Sequence, residues 1–107
     1  PLDSDIVMDV RFLPNPFYDD KLKNYTGLED EVREYVMDNQ IAGEFLNKLE
    51  DLMLFLIPQY IKEGKHQVVV AIGCTGGKHR SVTIVIELAK RLRDKDYRII
   101  VEHRDVE

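Results

Sequence analysis

Between Ala71 and Ser81 the chain reads Ala-Ile-Gly-Cys-Thr-Gly-Gly-Lys-His-Arg-Ser, an apolar stretch that passes through glycines into a segment of helical character. Glycine lets successive backbone N–H groups turn inward with no Cβ in the way, and a helix start adds unpaired N–H groups and the positive end of its dipole. Such a turn is a cradle for an anion, phosphate or carboxylate. Around it stand Gly73, Gly76 and Gly77, the hydroxyls of Thr75 and Ser81, and three side chains suited to an anion, Lys78, His79 and Arg80.

Three chemistries compete for this turn. A Walker phosphate loop needs Gly-x-x-x-x-Gly-Lys-Ser/Thr; here Gly77-Lys78 is followed by His79, and Ile72 stands five residues before Gly77. A cysteine phosphatase fits better: Cys74, Gly77, Arg80 and Ser81 match the Cys-x-x-Gly-x-x-Arg-Ser/Thr spacing of the tyrosine phosphatases. In that chemistry the Cys74 thiolate attacks phosphorus, Arg80 holds the equatorial oxygens and Ser81 assists release, with the helix start lowering the thiol pKa. Gly73 replaces the histidine that precedes the cysteine there, and no general acid is evident. The competing reading of Cys74 is a small buried residue at a strand end. A non-catalytic receptor asks least: amides and Arg80 hold an anion while Asn15, Thr75 and His103 meet hydroxyls.

These residues need a scaffold. Ile6 to Phe12 is rich in β-forming residues and stops at Leu13-Pro14-Asn15-Pro16, which predicts a first strand over about 6–12. Asn15 to Gly27 has no period and reads as a long loop, and Leu28 to about Asp38 as a helix. Phe45, Leu46, Leu49, Leu52, Met53, Leu56, Ile57, Tyr60 and Ile61 recur at helical steps up to Gly64, with a kink expected at Pro58. Val68 to Ile72 is uniformly apolar, as in the centre of a parallel sheet. A third helix follows over about Arg80 to Arg93, and a last strand over Tyr97 to Val101 precedes His103 and Arg104.

The order β-α-α-β-α-β with helices in both connections requires parallel pairing, so the fold expected is α/β: a small three-layer domain on a short, mainly parallel sheet of about three strands. In such sheets ligands bind beyond the carboxyl ends of the strands. That rim gathers Arg11 to Asn15, the glycine turn, and His103 with Arg104. Arg11 has a second reading as partner of Asp9 or Asp105, His79 as a helix cap, and His103 and Arg104 as a frayed terminus.

Length and charge set the outer bounds. The 107 residues make one domain, residues 1–107, with a single cysteine, no twenty-residue apolar run and no secretory pattern, so a cytoplasmic protein without a membrane partner is expected. Net charge is −5, but 14 of the 20 acidic residues precede position 78, and 8 of the 15 basic ones fall within 78–104. A global acidic balance excludes indiscriminate nucleic-acid binding and leaves room for a focused anion site. Lys90, Arg91, Arg93 and Lys95 also fit a plain solvated helix face. No His, Cys or carboxylate cluster has metal-ligand spacing. The abrupt start, without methionine, leads to the expectation of a fragment of a longer protein.

Three motifs in order, Asp9-Val10-Arg11-Phe12-Leu13-Pro14-Asn15-Pro16, Thr26-Gly27-Leu28, and Ala71 through Val82, followed by His103-Arg104-Asp105, closely resemble the C-terminal domain of the RapZ/YvcJ family. The resemblance implies an adaptor domain that follows an NTP-binding domain, so that ATP or GTP belongs to that other domain and this one needs no cofactor. It implies binding of glucosamine-6-phosphate or a similar phosphorylated sugar, contact with a small RNA that is presented to an endoribonuclease, and homo-oligomers of the full-length protein. Carried over by motif, the sugar-phosphate site comprises Thr75, Gly76, His79 and Arg80, with Arg11, Asn15 and His103 nearby. Phe17 stands where the RNA-regulating branch has histidine, and the acidic Asp105-Val106-Glu107 stands where that branch has a basic tail.

Overall fold

The structure, a computed structural model, describes residues 5–65, 67–75, 79–93 and 99–105. Three strands, β1 (Ile6–Asp9), β2 (Val68–Cys74) and β3 (Ile99–Asp105), form a sheet in the order β1-β2-β3. Both pairings are parallel, with Asp9 opposite Gly73 and Gly73 opposite Arg104. Helices α1 (Asp30–Met37) and α2 (Gln40–Lys62) lie between β1 and β2, and α3 (Arg80–Leu92) lies between β2 and β3. The α/β class and the element order are those expected.

Alternate residues of β2, Val68, Val70, Ile72 and Cys74, share a single core with Val32 and Val36 of α1, Leu46, Leu49, Met53 and Ile57 of α2, and Ile84, Leu88 and Leu92 of α3. Every residue of β2 is buried, which is why its sequence shows no alternation.

Local chemistry sets the boundaries. β1 ends at Asp9, earlier than Phe12, because the Asp9 carboxylate accepts the Arg11 backbone N–H at 2.9 Å and bends the chain into a turn. The long loop that follows contains a short 3-10 turn over Pro16–Tyr18, capped where Asn15 Oδ1 accepts the Phe17 N–H. α2 begins at Gln40 because Asn39 Oδ1 accepts the Ala42 N–H at 2.8 Å. Gly64, with φ of 93°, ends the turn after α2. Pro58 is carried inside α2.

β3 extends further than expected. Its pairing runs through His103, opposite Ile72, to Asp105, opposite Cys74, so His103 and Arg104 are rungs of the sheet and not residues beyond a strand end. Their backbones alone enter the description. Among the described residues no helix is long and apolar enough to cross a membrane.

Candidate functional site

The parallel register brings the carboxyl ends of all three strands to one rim: Asp9, Cys74 and Asp105 close β1, β2 and β3. The chain leaves β2 at Thr75, which is exposed, and re-enters the described region at His79, directly before α3. Gly76, Gly77 and Lys78, expected to line the cradle, lie outside the described residues, as does His66.

Arg80 dominates what is described. It begins α3 yet is 5% exposed, an unusual position for a guanidinium. Nη1 donates to the backbone carbonyl of Arg11 at 2.6 Å and to that of Leu13 at 3.4 Å, while Nε has no hydrogen-bond partner among the described residues. The turn after β1 is thus fastened to the start of α3, and the hydrogen bonds of this guanidinium among the described residues go to backbone carbonyls. No ion pair of Arg80 occurs among the described residues.

Arg11 reaches the site through its backbone. Its exposed guanidinium grips Asp9, with Nη2 to Oδ2 at 2.7 Å and Nε to Oδ2 at 2.9 Å. These hydrogen bonds hold the Asp9 carboxyl below its ordinary pKa and raise that of Arg11, and the charge of Arg80 adds a smaller effect on Asp9. Asp9 is bonded to Arg11, and Arg80 acts on it only through its charge.

His79 is also 5% exposed. It precedes α3 without a side-chain cap bond, while its carbonyl accepts from Thr83 twice, from N at 3.0 Å and from Oγ1 at 2.8 Å. Asn15 spends its carbonyl oxygen on the Phe17 cap. Gly73 carries the register across the sheet, its carbonyl accepting the Val10 N–H at 2.8 Å.

Cys74 and Ser81 face each other inside the protein. The thiol donates to Ser81 Oγ at 3.2 Å, and the Ser81 N–H donates back to Sγ at 3.2 Å. Both residues are 0% exposed, and Cys74 belongs to the apolar core. The pair ties the end of β2 to the first turn of α3, and so fixes where Arg80 points.

Sequence reasoning did not find the brace behind this turn. Gly27 packs so closely on α3 that an added Cβ would lie 2.8 Å from Thr83 N, 2.8 Å from Val82 Cβ and 2.9 Å from the His79 carbonyl oxygen. Arg33 of α1 holds the loop in place, Nη1 donating to the carbonyls of Gly27 at 2.9 Å and Leu28 at 2.7 Å and Nη2 pairing with Asp30. Thr26 and Glu29 close the same loop from the other side and keep the Glu29 carboxyl below its ordinary pKa. The signal was present: Thr26-Gly27-Leu28 is one of the motifs singled out above. Its contact with residue 83 is set by tertiary packing.

Comparison with known proteins identifies the family. The model of the RapZ C-terminal domain matches residues 1–107. A nucleotide-binding protein of Caldicellulosiruptor bescii is 59% identical over 107 residues, covering 100% of this chain and 37% of that protein. A nucleotide-binding protein of Thermoanaerobacter sp. (strain X514) is 60% identical over 106 residues, covering 99% and 37%, and one of Agathobacter rectalis is 60% identical over 107 residues with the same coverage. The chain spans little more than a third of the length of these curated relatives. With the family model matched along its whole length, the chain belongs to the RapZ C-terminal domain family.

Proposed function

We propose that this domain is a receptor for a small phosphorylated ligand, of the amino-sugar phosphate class to which glucosamine-6-phosphate belongs, and acts as a regulatory adaptor within a longer protein. One observation carries the reading: Arg80 is buried with its charge unmatched by any carboxylate among the described residues. Desolvating a cation without a counter-ion is costly, and a bound oxyanion that accepts charge-assisted hydrogen bonds offsets that cost. The start of α3 adds N–H dipoles of the same sense. In this reading Arg11, Asn15, Thr75, His79 and the glycine turn address the rest of the ligand, together with His103 and Arg104 of β3. Nucleotide binding, named for the relatives, concerns proteins nearly three times as long.

The test is calorimetric titration and thermal melting with glucosamine-6-phosphate, glucosamine and inorganic phosphate. A ligand at a hundred times its dissociation constant stabilises the fold by about 2.7 kcal/mol, roughly 10–20 °C of melting temperature for a domain of about this size. The phosphorylated sugar is expected to raise the melting point, free glucosamine to leave it unchanged, and Arg80→Met to remove the response while keeping the helical circular-dichroism spectrum. No shift with any phosphorylated compound at millimolar concentration refutes the reading.

A second reading, RNA contact, is favoured by a separate observation. Phe17, Tyr18 and Tyr25 are exposed on the loop that carries Lys21 and Lys23, a mixture suited to stacking on unpaired bases beside phosphate. It predicts salt-sensitive retardation of structured RNA. Unchanged retardation after Tyr18→Ala and Phe17→Ala dismisses the stacking surface.

A further inference from the structure

Between β1 and α1 the chain forms a loop whose shape comes from its own short-range bonds. The Tyr18 N–H donates to the Asn15 carbonyl, those of Leu22 and Lys23 to the Asp19 carbonyl, and that of Tyr25 to the Leu22 carbonyl. Of residues 14–26 Pro16 alone is buried, while Phe17, Tyr18 and Tyr25 stand exposed. A segment so short of buried contacts opens locally at little cost unless its ends are held. Both ends are held, and by the same turn of α3. At the front Arg80 Nη1 donates to the carbonyls of Arg11 and Leu13, and at the rear Gly27 packs on His79, Val82 and Thr83.

The front hold uses one corner of a guanidinium. Along one edge of this planar group Nε–H and an Nη2–H point the same way, the pair that grips a carboxylate or phosphate with two parallel bonds, and Nη1 lies at the far corner. Arg80 gives Nη1 to the loop. The buried Nε has no partner among the described residues, and Nη2 donates to none of them. One rigid plane thus carries the front of the loop on a corner and keeps its two-donor edge unused among the described residues.

We propose that Arg80, in the receptor reading on which this rests, couples the anion site to the loop: an oxyanion taken on the Nε and Nη2 edge fixes the guanidinium plane, and the fixed plane holds the Arg11 and Leu13 carbonyls. In the structure the plane is held by bonds to two neutral carbonyls, one of them long at 3.4 Å. A charge-assisted bond to an oxyanion is roughly twice as strong as a neutral one, and two in parallel also fix the orientation. Occupancy therefore quietens residues 14–26 and sets how Phe17, Tyr18 and Tyr25 are presented to a partner. Linkage makes the effect reciprocal, so that whatever loosens the loop lowers anion affinity by the same factor. An anion that drew Nη1 away from the carbonyls would release the loop instead, and the sign of the change separates the two.

Hydrogen exchange of the 107-residue chain read by mass spectrometry, with glucosamine-6-phosphate as the probe and calorimetric titration of the same samples, tests this. The expected result is exchange slowed about fivefold or more over residues 14–26 at saturation. The turn at residues 61–65, tied through Lys65 to Asp5 at the other end of β1, should be unchanged. Loop amides exchange through local opening, so a general gain in fold stability does not slow them. Arg80→Lys keeps the charge but offers a single ammonium in place of an edge and a corner. It is expected to bind the probe more weakly, with heat still measurable at high concentration, and to leave exchange over 14–26 unslowed. A bound probe with unchanged or faster exchange over 14–26 in the parent chain overturns the coupling and leaves the receptor reading standing, as does slowing that persists in Arg80→Lys. Absence of both heat and a melting shift in the parent chain defeats the receptor reading and the coupling with it.

Discussion

Replacing Gly27 by alanine tests how the site is held. The added methyl meets three atoms of one rigid object, the first turn of α3: Thr83 N and Val82 Cβ at 2.8 Å and the His79 carbonyl oxygen at 2.9 Å. All three lie inside the closest approach of real Cβ atoms, and none belongs to the flexible end of a side chain. Either the loop lifts, breaking the Arg33 bonds to the Gly27 and Leu28 carbonyls, or α3 moves and takes Arg80 with it. Overpacking of this kind costs about 1–3 kcal/mol, while the entropy alanine removes from the unfolded chain returns only about 0.4–1 kcal/mol. Sterics win, and a net loss of about 1–2 kcal/mol corresponds to a melting point lower by roughly 4–16 °C in a domain of about this size. Urea and thermal unfolding followed at 222 nm read the loss directly. A variant as stable as the parent would refute the close packing on which the brace depends.

Gly43 supplies the opposite sign: it lies inside α2 with nothing within 4 Å of an added Cβ, so Gly43→Ala should stabilise by about 0.5–1 kcal/mol in the same unfolding assay. Asn39→Ala removes the acceptor of the Ala42 N–H and should cost about 1 kcal/mol, whereas Asn39→Ser should recover most of it. In acid, Asp5 is held below its ordinary value of 3.8, chiefly by Lys65 at 2.7 Å and also by the Val69 N–H, and Asp9 is held down by Arg11. Both contribute stability above the unfolded carboxyl pKa that is lost as pH falls through their lower folded values, so the melting point should decline below about pH 4. Asp5→Asn should be less stable at pH 7 and show a shallower decline; a parallel decline would exclude Asp5 from the acid transition.

Much of the fold was legible because single residues or short repeats carry it. The unbroken apolar run of β2 announced a central parallel strand, and the helical steps of Leu46, Leu49, Met53 and Ile57 announced α2. The boundaries that shifted were decided by side chains acting on nearby backbone. Asp9 stops β1 by accepting the Arg11 N–H, and β3 runs on to Asp105 because β2 offers it rungs as far as Cys74.

At the site the same division holds. The sequence by itself determined the chemistry available at the rim: a glycine turn before a helix, a guanidinium at its first residue, and parallel strands whose carboxyl ends must share one edge. Tertiary structure alone decided how those groups are used. It buried Arg80 against the Arg11 and Leu13 carbonyls, committed the Arg11 side chain to Asp9, and turned Cys74 inward to Ser81. Burial and partner choice depend on what lies next to a residue in space, and residues 69 positions apart in the chain, such as Arg11 and Arg80, meet only once the sheet has formed.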